Sequence, residues 1–228
     1  TPERTEAETR FIAASLVAPE GAEVLDLACG VGRHAIGMAK RGFRVTGIDF
    51  NPRYLEIAAA DAAQADVQVT WREGDMRALG SVRMFDAAYS YFTSFGYFSD
   101  DDNERVLAEV ARVLKPGGRF LLEMANRDHL LTHPEQRTWK QREDGALLME
   151  ETSVELETSR IVARQMLIDP QGGTQVTKTY SLRTYTCAEL SALLRRHGFE
   201  VRAVSGGADS EPYGLDSRRL AIAAERRG

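Results

Sequence analysis

The sequence contains little cysteine. Its two cysteines, Cys29 and Cys187, lie far apart, and neither belongs to a CxxC pair or has a His-rich neighbourhood. This pattern excludes a disulfide framework and offers no zinc-binding spacing, and it fits a protein of a reducing compartment. We therefore predict no metal site and a cytoplasmic location.

Long apolar runs and an excess of positive charge are also absent. No apolar segment approaches the ~18 residues of a membrane helix, and no signal-peptide pattern opens the chain. The 29 lysines and arginines are outnumbered by 34 aspartates and glutamates, which gives a formal charge of −5. This sign argues against a long polyanion as the partner. We expect neither a membrane nor a nucleic-acid partner.

Short apolar strands alternate with helical segments in the first half of the chain. The segments with strand character are "EVLDLA", "FRVTGID", "VQVTWRE", "FDAAYSYF" and "RFLLEM". The helical segments between them are "RHAIGMAKR", residues 52–65 and "ERVLAEVARVL", and "KPGG" at 115–118 is predicted as a turn. Strands and helices that alternate in this way predict a parallel sheet covered on both faces.

The pattern changes after Asn126. The segments "ALLMEETSVEL", "RIVARQMLID" and "TQVTKTYSLRTY" have partial strand alternation, and "PQGG" joins the last two as a turn. A helix, "CAELSALLRRHG", and two strands, "FEVRAV" and "RRLAIAAE", then finish the chain. We predict one α/β domain over residues 1–228 with a Rossmann-like, doubly wound, mostly parallel sheet. A C-terminal antiparallel hairpin strand completes that sheet, and residues 126–184 form an inserted antiparallel β meander.

The turn after the first strand has the spacing of a nucleotide-binding loop. Gly30 to Ala35 satisfies G-x-G-x-x-G/A, and Asp49 follows at about the offset of a ribose-binding acid. Glycine in this turn lets a ligand approach the strand end and the helix N-terminus. Both a nicotinamide or flavin dinucleotide and S-adenosylmethionine fit this pattern.

Three features favour S-adenosylmethionine. Asp26 lies inside the first strand, where a carboxylate would repel a pyrophosphate but suits a ligand with an amino group and a sulfonium. Asp75, in "EGDMR", ends the third strand, where a carboxylate can accept a hydrogen bond from an exocyclic amine such as that of adenine. The chain also ends in a hairpin rather than in the further βα units of a dinucleotide fold.

The ordered motifs resemble those of the class I S-adenosylmethionine-dependent methyltransferases over nearly the whole chain. "VLDLACGVG", "VTGIDFNP", "EGDMR", "FDAAYSYF" and "LKPGGRFLLEM" match the family's motifs in order, although Ala28 stands where the family often has its first glycine. The resemblance implies S-adenosylmethionine as cofactor and S-adenosylhomocysteine as product. It assigns the methionine part to the turn of Asp26, Ala28, Gly30 and Gly32, the ribose to Asp49, and the adenine to Phe50, Asp75 and Met76.

The insertion is similar to that of small-molecule members of the family, including sugar N-methyltransferases, in which such strands roof the acceptor pocket or make a dimer contact. The resemblance therefore implies methyl transfer by in-line displacement to an N or O atom of a small-molecule acceptor. The exposed strands of the insertion would also permit a homodimer.

Two residues are candidates for a role in catalysis. Tyr91 could face the sulfonium, which would make it part of the cofactor site as well, and His129 could take a proton from the acceptor. Simpler interpretations are an aromatic cluster that packs a loop on the sheet for Tyr91 and a surface helix position for His129. Two other functions stay open at this point: an NAD(P)-dependent oxidoreductase and a non-catalytic S-adenosylmethionine-binding protein.

Overall fold

A computed structural model describes residues 1–80, 84–133, 137–142, 145–169, 175–208 and 212–228 of the chain. The helices are α1 (Pro2–Leu16), α2 (Arg33–Ala39), α3 (Pro52–Gln64), α4 (Asp100–Val113), α5 (Arg127–Thr132) and α6 (Cys187–Arg196). The strands are β1 (Glu23–Leu27), β2 (Arg44–Asp49), β3 (Val69–Glu73), β4 (Phe85–Ser90), β5 (Leu114–Ala125), β6 (Arg137–Gln141), β7 (Leu147–Glu155), β8 (Arg160–Ile168), β9 (Gln175–Arg183), β10 (Phe199–Ser205) and β11 (Arg219–Arg226).

Local sequence explains where the main helices begin. The side chain of Asn51 accepts a hydrogen bond from the Arg53 amide at the start of α3, and Pro52 is the first helical residue. Ser99 caps α4, whose first turn carries three aspartates at the positive end of the helix dipole. α6 begins with a capping box between Thr186 and Glu189.

The large sheet has seven strands in the order β10-β11-β5-β4-β1-β2-β3. β1 to β5 are parallel to one another, whereas β11 runs antiparallel to both β5 and β10. The predicted fold class, a mostly parallel doubly wound sheet finished by an antiparallel hairpin strand, is confirmed. Because β1, β2, β4 and β5 are parallel, their carboxyl ends lie at the same edge of the sheet.

Apolar side chains fill the space on both faces of this sheet. One cluster packs α4 and α6 against residues such as Leu25, Ala88 and Phe120, and the other packs α1 and α2 against Val24 and Tyr89. Neighbouring residues of one strand thus enter different clusters, which explains the nearly continuous apolar runs of β1 and β4.

The predicted turn "KPGG" lies inside β5. The pairing of β4 with β5 shifts register between Phe85 with Leu114 and Ala87 with Arg119, so that residues 115–118 bulge out of the ladder. Gly117 has a φ of 78° there, a conformation that glycine adopts at low cost. Residues 115–118 form the predicted turn, but β5 already pairs with β4 at Leu114, before that turn.

A second sheet follows β5 and α5 and has the order β6-β7-β8-β9, with every pair antiparallel. The sequence predicted three of these strands and missed β6, because all five of its residues are exposed and no apolar alternation marks it. The predicted turn "PQGG" lies outside the described residues. Within the described part of the chain, no helix has the length and apolar character needed to cross a membrane.

Candidate functional site

The turn between β1 and α2 is built from residues with left-handed backbone conformations. φ is 55° at Ala28, 57° at Gly30 and 76° at Gly32. Ala28 thus occupies a conformation that costs an L-residue about 1–2 kcal/mol, which explains why glycine suits this position. The turn directs the backbone of Gly30 and Gly32 toward the start of α2.

The two glycines of this turn have different surroundings. A Cβ atom added to Gly30 would meet nothing within 4 Å, so the space beside it is open to a ligand. A Cβ atom added to Gly32 would collide with the Trp71 ring and lie 2.9 Å from the Cβ of Ala58. Gly30 therefore provides room for a ligand, whereas Gly32 allows close packing within the protein.

Asp49, at the end of β2, holds this turn in place. Its side chain is 6% exposed and accepts hydrogen bonds from the amides of Gly30 and Asn51, each at 2.9 Å and each on a different oxygen. A carboxylate offers about four acceptor sites. Each oxygen of Asp49 therefore retains capacity for one further donor, which matches the two hydroxyl groups of a ribose.

Asp26 lies beneath the turn rather than on its surface. It is 3% exposed, and its carboxylate accepts a hydrogen bond of 2.8 Å from the hydroxyl of Tyr89 on β4. Burial raises the pKa of Asp26 to about 7; the Tyr89 hydrogen bond opposes this shift, and the charge of Asp49 adds to it. A ligand with a positive charge would favour the ionised form of Asp26.

The residues predicted to hold an adenine lie at the ends of β2 and β3. Phe50 is 75% exposed directly after β2, and Met76 packs partly against the core. Asp75 already accepts hydrogen bonds from the guanidinium and amide of Arg77, whose side chain also reaches Asp102 on α4. The Arg77 hydrogen bonds hold the pKa of Asp75 below its usual value. Arg77 is the last residue of the motif "EGDMR", but the sequence analysis did not predict that it pairs with Asp75.

The segment after β4 adopts an uncommon backbone conformation. Tyr91 is 6% exposed and packs edge-on against the His34 ring at 5.1 Å between centroids. Phe92 and Thr93, the next two residues, have φ values of 66° and 62°. Consecutive non-glycine residues in the left-handed region are rare and persist only where their surroundings hold them.

Two charged residues that the sequence analysis did not single out hold this segment. Glu123, which is buried on β5, accepts a hydrogen bond of 2.6 Å from the Phe92 amide. Arg219 on β11 pairs with Glu123 and donates a hydrogen bond of 2.6 Å to Thr93 Oγ1. The sequence did contain one sign of this pair, since an acidic residue lies inside the apolar run "RFLLEM". A buried charge requires a partner, so this residue could have been predicted to form an ion pair.

Three arginines surround the ring of Phe92. The guanidinium groups of Arg4, Arg33 and Arg219 lie 5.2 to 5.3 Å from the ring centroid. Glu8, buried on α1, pairs with Arg4, Arg33 and His34. Burial opposes ionisation of Glu8, but hydrogen bonds from these three partners outweigh it and lower its pKa to about 2. This network fixes α1 to the start of α2 beside the glycine turn.

His129 stands apart from these groups. It lies on α5, where its Nδ1 atom is 3.0 Å from the Leu215 carbonyl and its ring stacks on His133 with 4.3 Å between centroids. Among the described contacts, none joins His129 to Tyr91 or to the glycine turn. The structure thus brings Tyr91, Asp26 and Asp49 to one edge of the sheet and gives His129 different neighbours.

Comparisons with known proteins agree with this geometry. The family model described as a methyltransferase domain matches residues 24–118. The chain is 29% identical over 223 residues to the putative methyltransferase YqeM of Bacillus subtilis, covering 96% of this chain and 89% of that protein. It is 28% identical over 213 residues to the cypemycin N-terminal methyltransferase of a Streptomyces species, covering 91% and 84%.

A solved structure shares the fold over the full length of the chain. The CcbJ methyltransferase of Streptomyces caelestis superposes with a TM-score of 0.85 at 21% identity, covering 100% of this chain and 91% of that one. The similarity extends beyond a single loop, because β11 runs antiparallel to both of its neighbours in the large sheet and the motifs occur in order around the glycine turn. Residues 24–118 therefore match a methyltransferase domain, the whole chain shares the fold of S-adenosylmethionine-dependent methyltransferases, and these similarities support an enzyme that uses S-adenosylmethionine as its cofactor.

Proposed function

We propose that this enzyme transfers the methyl group of S-adenosylmethionine to a small-molecule acceptor at an N or O atom. The observation that carries the proposal is the open space beside Gly30 next to the Asp49 carboxylate, which has acceptor capacity on both oxygens. A sulfonium-bearing nucleoside fits acidic groups at the ends of β1 and β2 better than a pyrophosphate does. A nicotinamide dinucleotide is therefore not the expected ligand of this turn.

We assign the binding roles residue by residue. Asp49 would accept both ribose hydroxyls, Phe50 would pack on the adenine face, and Asp75 with Met76 would hold the adenine edge. Asp26 would provide negative charge beneath the amino group, while the backbone at Ala28, Gly30 and Gly32 would admit the methionine part.

Methyl transfer requires alignment more than proton transfer. When bound, S-adenosylmethionine supplies an activated methyl group whose C–S bond breaks, with the electron pair leaving to sulfur, as the acceptor lone pair attacks in line. The task of the protein is to hold the acceptor on that line and to exclude water. Tyr91, held by packing against His34, would border the reacting methyl, and His129 stays a candidate for taking up an acceptor proton.

The proposed binding site for the methyl acceptor involves the inserted sheet. We propose that residues 1–228 act as one methyltransferase-like domain in which residues 126–184 roof the acceptor pocket. A nitrogen acceptor is favoured, since one relative carries an N-terminal methyltransferase name. A homodimer formed through the insertion, a cytoplasmic location and the absence of a nucleic-acid partner complete the proposal.

Calorimetric titration of the purified full chain with S-adenosylhomocysteine, and separately with NADH, tests the cofactor assignment. We expect micromolar binding of S-adenosylhomocysteine and no heat from NADH. A turnover assay with a labelled methyl donor and a panel of small amines and alcohols then tests the acceptor class. Binding of NADH, or methyl transfer only to macromolecules, would contradict the proposal.

A further inference from the structure

The inserted sheet has one shielded face, here named the inner face. Along β7 the residues alternate, with Leu148, Glu150, Thr152 and Val154 partly buried and the residues between them exposed. By register, Ile161, Ala163 and Gln165 of β8 share this face, as do Tyr180, Leu182 and the exposed Lys178 of β9. Ala163 and Leu182 are buried, so the inner face is covered where it approaches the large sheet.

Hydrogen bonds join β8 and β9 of the inserted sheet to the loop that follows β4. The Arg183 amide donates a hydrogen bond of 2.8 Å to the Gly96 carbonyl, and the Arg160 guanidinium donates to the carbonyls of Phe98 and Gly96 at 3.2 and 3.4 Å. A Cβ atom on Gly96 would collide with the Arg183 carbonyl. The inner face is therefore held beside the same loop that presents Tyr91 and Phe92.

A polar and aromatic cluster lies on the inner face. The Oε2 atom of Glu150 accepts hydrogen bonds from Gln165 Nε2 at 2.6 Å and from the Tyr180 hydroxyl at 3.2 Å. The ring of Tyr180 lies 6.2 Å from the ring of Tyr97, which belongs to the loop after β4. One carboxylate and two aromatic rings, contributed by the inserted sheet and by the loop after β4, thus surround one region.

Glu150 differs in its charge balance from Glu8 and Glu123, the two other buried or partly buried glutamates near the site. Glu8 and Glu123 are each paired with arginine. Glu150 accepts only from uncharged groups, and among the described residues no Lys, Arg or His forms a salt bridge with it. Burial and, after it, the charge of Glu150 raise the pKa of both Tyr97 and Tyr180, so these hydroxyls stay protonated. A partly buried negative charge without an internal cation favours a cationic ligand.

We propose that Glu150, with Tyr97 and Tyr180, forms the acceptor-recognition site and that the acceptor is a small molecule bearing a cationic amine. The carboxylate binds the ammonium group, and the two rings contact its carbon skeleton and add cation–π attraction. This inference rests on the proposed function, since it names the substrate class of the same transfer reaction. The arginines around Phe92 do not oppose it, because Glu8 and Glu123 neutralise much of their charge.

Three probes of similar length that share a phenyl ring and carry a cationic, a neutral or an anionic end group test the proposal. The full chain, saturated with S-adenosylhomocysteine, is titrated with phenethylamine, phenethyl alcohol and phenylacetate by ligand-observed NMR. We expect phenethylamine to bind most tightly. We expect Glu150→Gln to weaken amine binding about tenfold, the usual effect of losing a charged hydrogen bond, and to leave alcohol binding unchanged.

Glu151→Gln is the matched control, since Glu151 is the next residue of β7 on the opposite, exposed face and pairs with Arg137. Glutamine at position 150 keeps an acceptor for Gln165 and Tyr180, so both variants should keep the melting temperature of the parent. Equal binding of amine and alcohol, an unchanged amine affinity in Glu150→Gln, or a preference for phenylacetate would overturn the proposal. Failure to bind S-adenosylhomocysteine at the outset would instead contradict the proposed function.

Discussion

At the scale of single residues, Asp49 has the most direct role in the assignment. Asp49→Ala removes the proposed acceptor for two ribose hydroxyls, and we expect the affinity for S-adenosylhomocysteine to fall by ~1.5–3 kcal/mol, the range for hydrogen bonds to charged groups. Calorimetry measures this loss. The variant also loses the bonds to the Gly30 and Asn51 amides, so a melting curve must show that it is folded. Unchanged affinity in a folded variant would refute the role.

The raised pKa of Asp26 predicts how the stability of the ligand-free protein depends on pH. Its pKa rises from 3.8 to about 7 on folding, chiefly because of burial. Between these values the folded chain holds a proton that the unfolded chain has released, so the contribution of Asp26 is full below the lower value and is lost as pH rises through the higher one. We expect urea unfolding between about pH 4 and pH 8 to show this decline, and Asp26→Asn to flatten it. An identical slope in that variant would contradict the assignment.

Binding of the cofactor should remove the proton that Asp26 holds in the ligand-free protein. A ligand cation above Asp26 favours the carboxylate, so binding near neutral pH should release a proton. Calorimetry with S-adenosylmethionine in two buffers of different ionisation enthalpy measures that release. Asp26→Asn serves as the control, because asparagine can still accept from Tyr89 but has no proton to lose. Equal release in both proteins would assign the proton to another group.

At the scale of elements, the two glycines of the turn between β1 and α2 should affect different properties. Substitution of Gly30 should chiefly lower ligand affinity, and substitution of Gly32 should chiefly lower stability. Gly30→Ala adds left-handed strain of about 1–2 kcal/mol and places a methyl group in the open space, so we expect it to weaken S-adenosylhomocysteine binding more than stability. Gly32→Ala forces a methyl group against Trp71 and Ala58, so we expect a larger loss of stability, beyond strain alone. Melting curves and calorimetry on both variants measure the contrast. Equal effects on both properties would refute it.

The sequence predicted elements well where their pattern is local. β1, β2, α3 and α4 follow from apolar spacing and capping residues such as Asn51 and Ser99. β6 was missed because an exposed edge strand needs no apolar residue on either face. The start of β5 was misplaced because pairing at Leu114 depends on β4, which is distant in the chain.

At the scale of the whole molecule, the exposed face of the inserted sheet is the surface on which we expect the proposed homodimer to form. Trp139 is 72% exposed and pairs in register with Met149, which is 42% exposed. By register, the neighbouring row is Arg137, Glu151 and Arg164, in which Arg137 and Glu151 form an ion pair within the chain. This face therefore exposes two large apolar side chains beside residues whose charges are partly paired within the chain.

We expect sedimentation velocity to show a homodimer and Trp139→Ser to weaken it by about tenfold or more, as loss of an aromatic anchor does. Leu156→Ser, at an exposed leucine after β7, is the control that should leave the mass unchanged. A monomeric parent protein, or a dimer insensitive to Trp139→Ser, would show that this face serves another purpose.

The sequence by itself determined the order of strands and helices, the glycine turn and the acid that ends β2, because each depends on residues close together in the chain. Only the tertiary structure decided which distant side chains meet: Asp26 with Tyr89, Glu123 with Arg219, and Glu150 with the rings of Tyr97 and Tyr180. Hydrogen bonds and ion pairs act over a few ångströms. Their partners are therefore set by strand register and by the docking of one sheet on another, which local spacing does not encode.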